Sequence, residues 1–392
     1  MDSQLRQAQS YLQERHLDGW LLYDFHRTND LAHAFLRIPP KQLVTRRFFY
    51  WIPTHGAPIK IVHAIEPHML DAWPGEKKIY SSWKLLESVL ASVLQGHKKV
   101  AMEYSPRAAI PYVSKVDGGT IDLVRSFGIE VVSSADFLLY FTSVLDQEQI
   151  ESHCRAALAL QEIVEEGWDW IGKRFQEGVS ERDVQNWIEK QYKKRRLITD
   201  SPPIIAINEH SADPHFKTAI TGSTVLRPGD LILIDLWAKE EGERAVFGDI
   251  TRVAIAGQPS DPQQKVFHAV RGAQKAAIDL VRSRFKVKQP IQGWEVDEAA
   301  REFIRKAGFG DFFIHRTGHN IEVHLHGSGT HMDNLEMHDV RPLLPGTCFS
   351  IEPGIYLPGE FGIRLETDVL IQPDGEVLVT GGEQEELRLL FH

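Results

Sequence analysis

Cysteine is nearly absent from this sequence: the 392 residues include two, Cys154 and Cys348. Two thiols cannot provide the disulfide framework on which small secreted domains depend. A chain of this length buries about three quarters of its unfolded surface, so it needs neither disulfides nor a structural metal to maintain a core. The low cysteine content therefore favours a reducing compartment, and we expect a cytoplasmic protein.

The sequence also lacks an excess of positive charge and any long apolar run. Lys and Arg number 44 against 54 Asp and Glu, which gives a net charge of −10 with His neutral. Binders of nucleic acids or anionic membranes carry basic patches instead. No run of 18 apolar residues is present, and the polar start MDSQLRQAQSYLQERH does not resemble a secretory signal. We therefore expect neither a nucleic acid nor a membrane as partner.

The composition is that of a globular protein, with 42% hydrophobic and 25% charged residues, and the length favours two domains. In residues 1–145, the segments GWLLYDF, RRFFYWIP, APIKIVHAI, KKVAMEY and IEVVSS are typical of strands. WKLLESVLASVLQ and GGTIDLVRSF have helical spacing. This alternation predicts an α/β domain with a mixed sheet covered by helices. We place the domain boundary just before Asp146, without a flexible linker.

Residues 146–392 form a second region. It contains two long amphipathic helices, which are predicted to start at Asp146 and near Ser260. Each is followed by a segment that predicts another helix start, GVSERD around Val179 and EVDEAA around Val296. These two valines lie 117 residues apart. The spacing is a first indication of an internal repeat.

A pair of acids marks one predicted hairpin, LILIDLWAKEEGERAVFGDITR. Asp235 and Asp249 lie 14 residues apart around Gly242. A turn centred on that glycine predicts that the two acids face each other across adjacent antiparallel strands.

A second hairpin, CFSIEPGIYLPGEFGIRLETDV, repeats this arrangement. Glu352 and Glu366 are also 14 residues apart, around Gly359. The offset between the first acid pair and the second is again 117 residues. The second region is therefore predicted to consist of two equivalent halves with one acid pair each.

Four carboxylates on strands of a core repel one another and are costly to bury. One hairpin alone would be consistent with acids at solvent-facing strand ends, but two of matched spacing favour a metal site. Carboxylates with some imidazole suit Mn²⁺, Co²⁺ or Zn²⁺. Six histidines precede the second hairpin: His315, His319, His324, His326, His331 and His338. We expect at least one of them to bind metal.

Together these residues resemble the creatinase/aminopeptidase P/prolidase family of pita-bread metallohydrolases. TGH around His319, IEPGIY around Glu352 and IRLE before Glu366 stand nearly as in that family. The resemblance implies an α+β pita-bread catalytic domain with an internal pseudo-two-fold repeat at residues 146–392. A smaller α/β N-terminal domain at residues 1–145 would precede it.

The family's ordered ligand series implies two divalent metal ions per chain, with Mn²⁺ as the first choice and Co²⁺ or Zn²⁺ as alternatives. Asp235 would bind one ion through both oxygens, and Asp249 and Glu366 would bridge the two ions. His319 and Glu352 would complete the second site. A hydroxide bridging the metals would attack the scissile carbonyl, with Glu352 as the group that takes and passes on its proton.

Two histidines match catalytic, substrate-side positions of the family. His326 lies seven residues after His319, and His215 stands in PHF upstream of the first hairpin. The resemblance implies that both hydrogen-bond the substrate carbonyl and the tetrahedral oxyanion. His324 is a rival to His326 for the catalytic role.

Tyr356 and Arg364 are further substrate-binding candidates. Tyr356 lies four residues after Glu352 and is placed to assist at the oxyanion. Arg364 shares a strand face with Glu366, so it either contacts the substrate or braces a ligand carboxylate. The turn Asn320–Glu322, which is Gly-rich in the family, departs from the pattern and leaves the pocket shape open.

The resemblance implies a metallopeptidase that cleaves the Xaa-Pro bond at the N-terminus of dipeptides or short peptides. Its partner would be a peptide with proline at the second position, and we expect a homodimer. One alternative is a small-molecule C–N hydrolase of the same fold, such as a creatinase or an ectoine hydrolase. Another is a catalytically silent binding protein on this scaffold. The physiological metal, the peptide length and the anchor of the substrate carboxylate, for which Arg341 and His338 are candidates, stay open.

Overall fold

The structure is a computed structural model that describes residues 2–219 and 222–391. The chain divides into two compact units, Met1–Thr142 and Ser143–His392. Among the described helices, none combines the length and apolar character that crossing a bilayer requires.

The first unit is an α/β sheet structure. Apart from short 3₁₀ turns, its elements are α1 (Asp2–Glu14), β1 (Gly19–Asp24), α2 (Asp30–Leu36), β2 (Phe48–Pro53), β3 (Ile59–His63), β4 (Glu76–Tyr80), α3 (Trp83–Leu94), β5 (Lys99–Met102), α4 (Gly118–Ser126), β6 (Glu130–Ser133) and α5 (Ala135–Thr142). The sheet order is β4-β3-β2-β1-β5-β6, and β2 is antiparallel to both of its neighbours whereas the other pairs are parallel. The predicted mixed sheet is thereby confirmed.

Within its described residues, the second unit carries two pairs of long helices and three sheets, of five, four and two strands. Its elements are α6 (Gln147–Arg174), α7 (Glu181–Arg195), β7 (Leu197–Ile198), β8 (Ile204–Ile207), β9 (Leu231–Glu240), β10 (Gly248–Ile255), α8 (Asp261–Lys286), α9 (Gly293–Lys306), β11 (Asn320–Ile321), β12 (Cys348–Ile351), β13 (Gly354–Leu357), β14 (Phe361–Arg364), β15 (Thr367–Ile371), β16 (Val377–Thr380) and β17 (Arg388–Leu389). Both predicted starts of long helices are confirmed. Asp146 and Ser260 cap α6 and α8, each in a reciprocal capping box.

Strand β9 is buried on both of its faces, which explains its continuous apolar run. Its even-numbered residues, such as Ile232 and Ile234, pack with α6 and α7 in one core. Its odd-numbered residues Leu231 and Leu233 pack with α8 and α9 in the other core. Because strand side chains alternate, Asp235 continues the odd face towards the second half of the unit.

The helix-start repeat based on the valines is wrong. Val179 directly precedes Ser180, the N-cap of α7. Val296 instead lies within α9, on its buried stripe, and the N-cap of that helix is Gln292. The two caps are 112 residues apart. The helices therefore repeat with a shorter offset than the acid pairs do.

The register predicted for the first hairpin is also wrong by two residues. Asp235 pairs with Thr251, and Asp249 pairs with Trp237. Residues 241–247 connect the two strands instead of a tight turn on Gly242, and the last of them, up to Phe247, are buried. Asp235 and Asp249 are consequently diagonal neighbours on one face of the hairpin.

The second hairpin has the predicted centre. Ile351 pairs with Thr367 in β12–β15, and Gly354 pairs with Arg364 in β13–β14. Both pairings are symmetric about Gly359, which adopts φ +75° in the turn. This register confirms that Glu352 and Glu366 lie opposite each other, at the break between the two pairs of strands.

Candidate metal centre

The acids of both hairpins converge at the junction of the two halves. Thr251 on β10 forms an isolated antiparallel bridge with Glu366, which precedes β15. Asp249 lies two residues before Thr251 on the same face of β10, and Asp235 is paired with Thr251 on β9. The side chain of Glu352 is 16% exposed, whereas Asp235, Asp249 and Glu366 are buried.

His319 approaches this group from the segment before β11. Its Nε2 lies 3.5 Å from Oδ2 of Asp249 and 3.5 Å from Oε1 of Glu352. The hydroxyl of Ser350 on β12 accepts a 3.0 Å hydrogen bond from the His319 amide. Donor atoms of Asp249, His319 and Glu366 all lie within 4.8 Å of one another. Glu352 contacts His319, and Asp235 shares the Thr251 hydroxyl with Glu366, so the structure brings all five predicted ligands together.

Electrostatics make this group of carboxylates unfavourable by itself. Burial, followed by the neighbouring carboxylates, raises the pKa of Asp249 and of Glu366 well above the usual range. Burial raises the pKa of Glu352 to about 7. Burial lowers the pKa of His319 well below its usual value, which keeps its imidazole neutral. Converging carboxylates and a neutral imidazole are the donor set that a divalent cation would stabilise.

The hydrogen bonding of two buried carboxylate oxygens indicates whether these residues fit a metal. Oδ1 of Asp249 and Oε1 of Glu366 have no hydrogen-bond partner among the described residues. Thr251 has a single hydroxyl proton, yet its oxygen lies 2.9 Å from Asp235 Oδ1 and 2.7 Å from Glu366 Oε2. Buried carboxylate oxygens are normally satisfied. The lack of donors and the mutual proximity of these oxygens fit a site for divalent cations.

Tyr356 and Arg364 form a hydrogen-bonded network beside the acids. Arg364 Nη2 donates to Asp235 Oδ2 at 2.5 Å, and Nη1 donates to the Tyr356 hydroxyl at 2.9 Å. His315 Nε2 lies 2.7 Å from the same hydroxyl. Both predicted substrate-binding residues are buried, so these contacts support the bracing role that the sequence left open for Arg364. Contact with the substrate stays a prediction for both.

The predicted catalytic histidines occupy more open positions. The rings of His326 and His319 meet edge to face, with their centroids 4.2 Å apart, and His326 is exposed on its other side. The protein atoms around the ring, and then Arg316, lower the pKa of His326 to about 4. His215 is exposed. It lies close enough to His326 for its charge to contribute to the lowered pKa of His326. His324 is exposed as well.

Arg341, one of the two candidate carboxylate anchors, does not fit that role. Its side chain is fully buried and pairs with Asp339 at 2.7 Å. Two of its nitrogens also donate to the carbonyl oxygens of Ser328 and Gly329, each at 2.7 Å. Arg341 therefore stabilises the loop that follows His326. His338 is exposed and hydrogen-bonds Asn334.

A buried pair on α9, which sequence reasoning missed, holds the segment before His319 and, through it, the backbone of Glu352. Asp297 accepts hydrogen bonds from the amide and hydroxyl of Thr317, at 2.8 and 2.6 Å. Arg301 binds Asp297 and donates to the carbonyl of His315 at 2.8 Å. The carbonyl of Thr317 in turn accepts from the amide of Glu352 at 2.7 Å. The i, i+4 spacing of an acid and an arginine on a helix would have predicted the ion pair but not its distant partners.

Arg252 is a second residue that sequence reasoning missed. It is buried on β10 and donates to four backbone carbonyls, those of Thr251, Glu366, Gly381 and Gly382. Burial lowers its pKa to about 10, so it stays charged at neutral pH. The guanidinium thus holds the backbone on both sides of the junction between the halves.

Comparison with protein families and known proteins identifies the second unit. Residues 155–373 match the model of metallopeptidase family M24. The chain belongs to this family. Family M24 is the one that the motifs around His319, Glu352 and Glu366 resemble, so the recognition made from the sequence is confirmed.

Relatives of this M24 protein include named dipeptidases. The Xaa-Pro dipeptidase of Lactobacillus helveticus is 34% identical over 202 residues, which are 50% of either chain. The Xaa-Pro dipeptidase of Pyrococcus furiosus is 32% identical over 242 residues, 61% of this chain and 62% of the relative. The chain spans about half the length of the Lactobacillus relatives it matches.

Solved structures share the fold of this M24 protein over nearly its whole length. A dipeptidase from Mycobacterium ulcerans has a TM-score of 0.70 at 23% identity, covering 99% of this chain and 97% of that one. The prolidase from Thermococcus sibiricus has a TM-score of 0.63 at 24% identity, covering 98% of each chain. The predicted α+β pita-bread fold with a preceding N-terminal domain is confirmed.

Proposed function

We propose that this M24 protein is a metal-dependent peptidase that cleaves the Xaa-Pro bond at the N-terminus of dipeptides or short peptides. The observation that carries the proposal is the convergence of four carboxylates and a neutral imidazole, with one oxygen each of Asp249 and Glu366 buried without a hydrogen-bond donor. The names of the relatives, Xaa-Pro dipeptidases, support the substrate class.

The proposed centre holds two divalent ions per chain, with Mn²⁺ first and Co²⁺ or Zn²⁺ as alternatives. The ligands would be Asp235, Asp249, His319, Glu352 and Glu366. Divalent ions bound there would supply the Lewis acidity that activates water and polarises the scissile carbonyl. Arg364 fixes the orientation of Asp235 by its 2.5 Å contact.

Among these carboxylates Glu352 is best placed to move a proton. Its side chain is the most exposed of the four, and burial raises its pKa to about 7 without metal. We assign it the task of taking a proton from water and delivering it to the leaving nitrogen. His326 and His215 would donate hydrogen bonds to the carbonyl oxygen of the substrate, because both are exposed and the His326 ring lies against that of His319.

The substrate assignment can be tested with matched peptides. Ala-Pro and Leu-Pro, the tripeptide Ala-Pro-Ala and the control Ala-Ala would be incubated with protein loaded with Mn²⁺, Co²⁺ or Zn²⁺. We expect release of the N-terminal residue from the proline peptides and little from Ala-Ala. The proposal would be overturned if the proline peptides were not hydrolysed with any of the three metals. It would also be overturned if creatine were hydrolysed and no peptide were cleaved. Light scattering on the purified protein tests the homodimer, and a cytoplasmic location stays a prediction.

A further inference from the structure

A cavity of about 750 Å³ lies within the first unit, remote in sequence from every proposed metal ligand. Its lining consists of residues at the ends of β1, β3 and β4, residues at the starts of α3 and α4, and the segment that leads into β2. Because β2 is antiparallel to β1, that segment lies at the same edge of the sheet. In open α/β sheets, ligands bind in crevices at the carboxyl ends of the parallel strands.

Two half-buried arginines, Arg46 and Arg47, line this cavity. Among the described residues, no carboxylate oxygen lies within the 4.0 Å ion-pair distance of either guanidinium. Asp117 lines the same cavity, but its oxygens accept from the amide and hydroxyl of Thr120 at 2.9 and 2.8 Å. The carboxylate of Glu66 binds the backbone before β2 instead. The cavity therefore presents two arginines without a carboxylate partner and one carboxylate, that of Asp117, so its net charge is positive.

Apart from Asp117, the polar groups of the cavity lining considered next carry no negative charge. The charge of Arg47 acts on the phenols of Tyr23 and Tyr80, and burial raises the pKa of both, so they stay neutral. His63 accepts a 3.1 Å hydrogen bond from the Ile65 amide through Nδ1. In its neutral form the ring therefore carries its proton on Nε2, as a donor.

Aromatic side chains form the apolar part of the lining. Phe25 and Trp83 are 40% and 60% exposed, although large aromatic side chains are usually buried. His63 meets Tyr80 edge to face, with centroids 4.9 Å apart. Flat apolar faces beside arginines that hydrogen-bond only neutral groups suit a planar ring that carries a negative charge.

The loop after β1 is held in a disfavoured conformation at this place. His26 and Arg27 both adopt left-handed backbone angles, with φ 56° and 62°, which non-glycine residues rarely do. The buried carboxylate of Asp24 maintains the loop by accepting from the amides of Arg27 and Asn29, at 3.0 and 2.8 Å. This conformation places Phe25 and His26 in the cavity lining. Strain kept in this way is typical of ligand sites.

We propose that this cavity is a binding site for a small planar organic anion. Arg46 and Arg47 would bind the carboxylate or phosphate group, and Phe25 and Trp83 would pack against the ring. The site belongs to the first unit and is independent of the metal centre. A carboxylate and a phosphate share this chemistry, so the experiment distinguishes them.

Calorimetric titration of the full-length protein tests the proposal with four probes. Benzoate and adenosine monophosphate carry a ring and an anionic group, inorganic phosphate has no ring, and benzyl alcohol has no charge. Each would be titrated into metal-free and into Mn²⁺-loaded protein. We expect saturable binding of at least one of the two ring anions, in both forms of the protein, and weaker binding of the other two probes.

Paired variants localise the binding. Replacing both arginines, Arg46→Gln with Arg47→Gln, should weaken the preferred ring anion by about tenfold or more, because charge-assisted hydrogen bonds are lost. The matched control, Arg15→Gln with Arg125→Gln, removes two charges from the first unit outside the cavity and should leave binding within that limit. Circular dichroism verifies that both variants are folded.

Three results would overturn the proposal. One is the absence of saturable binding for both ring anions up to about 10 mM. Another is binding that requires Mn²⁺, which would place the anion at the metal centre. The third is a loss of less than tenfold in the cavity variant, or an equal loss in the control.

Discussion

Thr251 and Glu366 join the two halves of the second unit. The amide of Glu366 donates to the carbonyl of Thr251 at 3.2 Å, and the two side chains meet at 2.7 Å. Because Asp249 and Asp235 are the strand neighbours of Thr251, this bridge sets the acids of the first hairpin beside those of the second. The geometry of the centre thus depends on how the halves pair.

Asp249→Asn should lose much of the bound metal. Oδ1 of Asp249 is buried without a hydrogen-bond donor, and its Oδ2 lies 3.5 Å from His319, so an amide there removes charge where the ligands converge. Elemental analysis after dialysis against Mn²⁺ measures the metal content. Asp279→Asn, an exposed acid on α8, is the control and should keep full content. Equal metal content in both variants would contradict the proposed ligand set.

His326→Ala should keep its metal and lose turnover by about 10²–10³-fold, the usual effect of removing an oxyanion donor. His324→Ala is the matched control, because it is an exposed histidine of the same loop. Xaa-Pro hydrolysis and metal content would be measured on both. An active His326 variant beside an inactive His324 variant would mean that the alignment of this segment is wrong by two residues.

Removing the metal should lower the melting temperature at neutral pH. The pKa of Asp249 and of Glu366 is raised in the folded apo protein, so the folded state binds more protons than the unfolded state and loses stability as the pH rises. An ion at 100 times its Kd restores about 2.7 kcal/mol.

The difference between metal-loaded and metal-free melting temperatures should therefore be largest near pH 7.5 and smaller near about pH 5, where protons relieve the repulsion and compete with metal. Differential scanning calorimetry at both pH values measures it. Identical melting temperatures of verified samples near about pH 7.5 would show that the acids do not act on one another.

His153 should make stability depend on pH for a different reason. It is fully buried between the Phe247 carbonyl and the Thr380 hydroxyl, both at 2.7 Å, and burial lowers its pKa to about 4. Between that value and its unfolded value of about 6.5, the unfolded state binds a proton that the folded state does not, so stability falls as the pH falls. The full difference amounts to about 3 kcal/mol.

Urea denaturation of metal-free wild type and His153→Gln between about pH 4 and pH 7.5 measures this effect. The variant should be less stable than wild type by the largest amount near pH 7. The difference should shrink in acid, because protonation of His153 in the unfolded state destabilises the wild type and has no counterpart in the variant. His268→Gln, on α8, should show no such trend. A pH-independent difference for His153→Gln would contradict the prediction.

Arg252→Lys should lower both stability and metal affinity although it keeps the positive charge. A lysine cannot donate to all four carbonyls that the guanidinium binds, and each buried acceptor left without a donor costs about 1–3 kcal/mol. Thermal melts of the metal-free protein and Mn²⁺ titration measure the two effects separately. The control Arg282→Lys lies on the exposed face of α8. Metal affinity equal to wild type would show that Arg252 does not position Glu366.

Local signals in the sequence predicted much of the fold. The capping signal at Asp146 and the amphipathic pattern that begins near Ser260 predicted two helix starts, and the spacing around Gly359 predicted one hairpin register. Strand β4 was missed because EKKIY is a charged edge strand without clear alternation. The two-residue shift at Asp235 was missed because the spacing of the acids was taken to be centred on Gly242, whereas the connection between the strands is longer and ends in buried residues up to Phe247.

The candidate ligands could be predicted because burying an acid on a core strand costs free energy, so such acids indicate a compensating site. The residues that hold them were not found, since their partners are distant in sequence. Arg252 reaches carbonyls 114 to 130 residues away, and Asp297 reaches Thr317 across 20 residues. Alternation along β10 would have placed Thr251 beside Asp249, and this signal was overlooked.

The division of ligands between the two halves has a consequence for how the site can be broken. Asp235 and Asp249 precede the loop 256–260 that connects β10 to α8, whereas His319, Glu352 and Glu366 follow it. A backbone cut in that loop would leave two fragments, each with an incomplete donor set and an uncovered apolar face of β9 or α8. If metal binding returned when the fragments were mixed, the two halves would have reassembled. Metal binding would therefore measure whether the halves are joined.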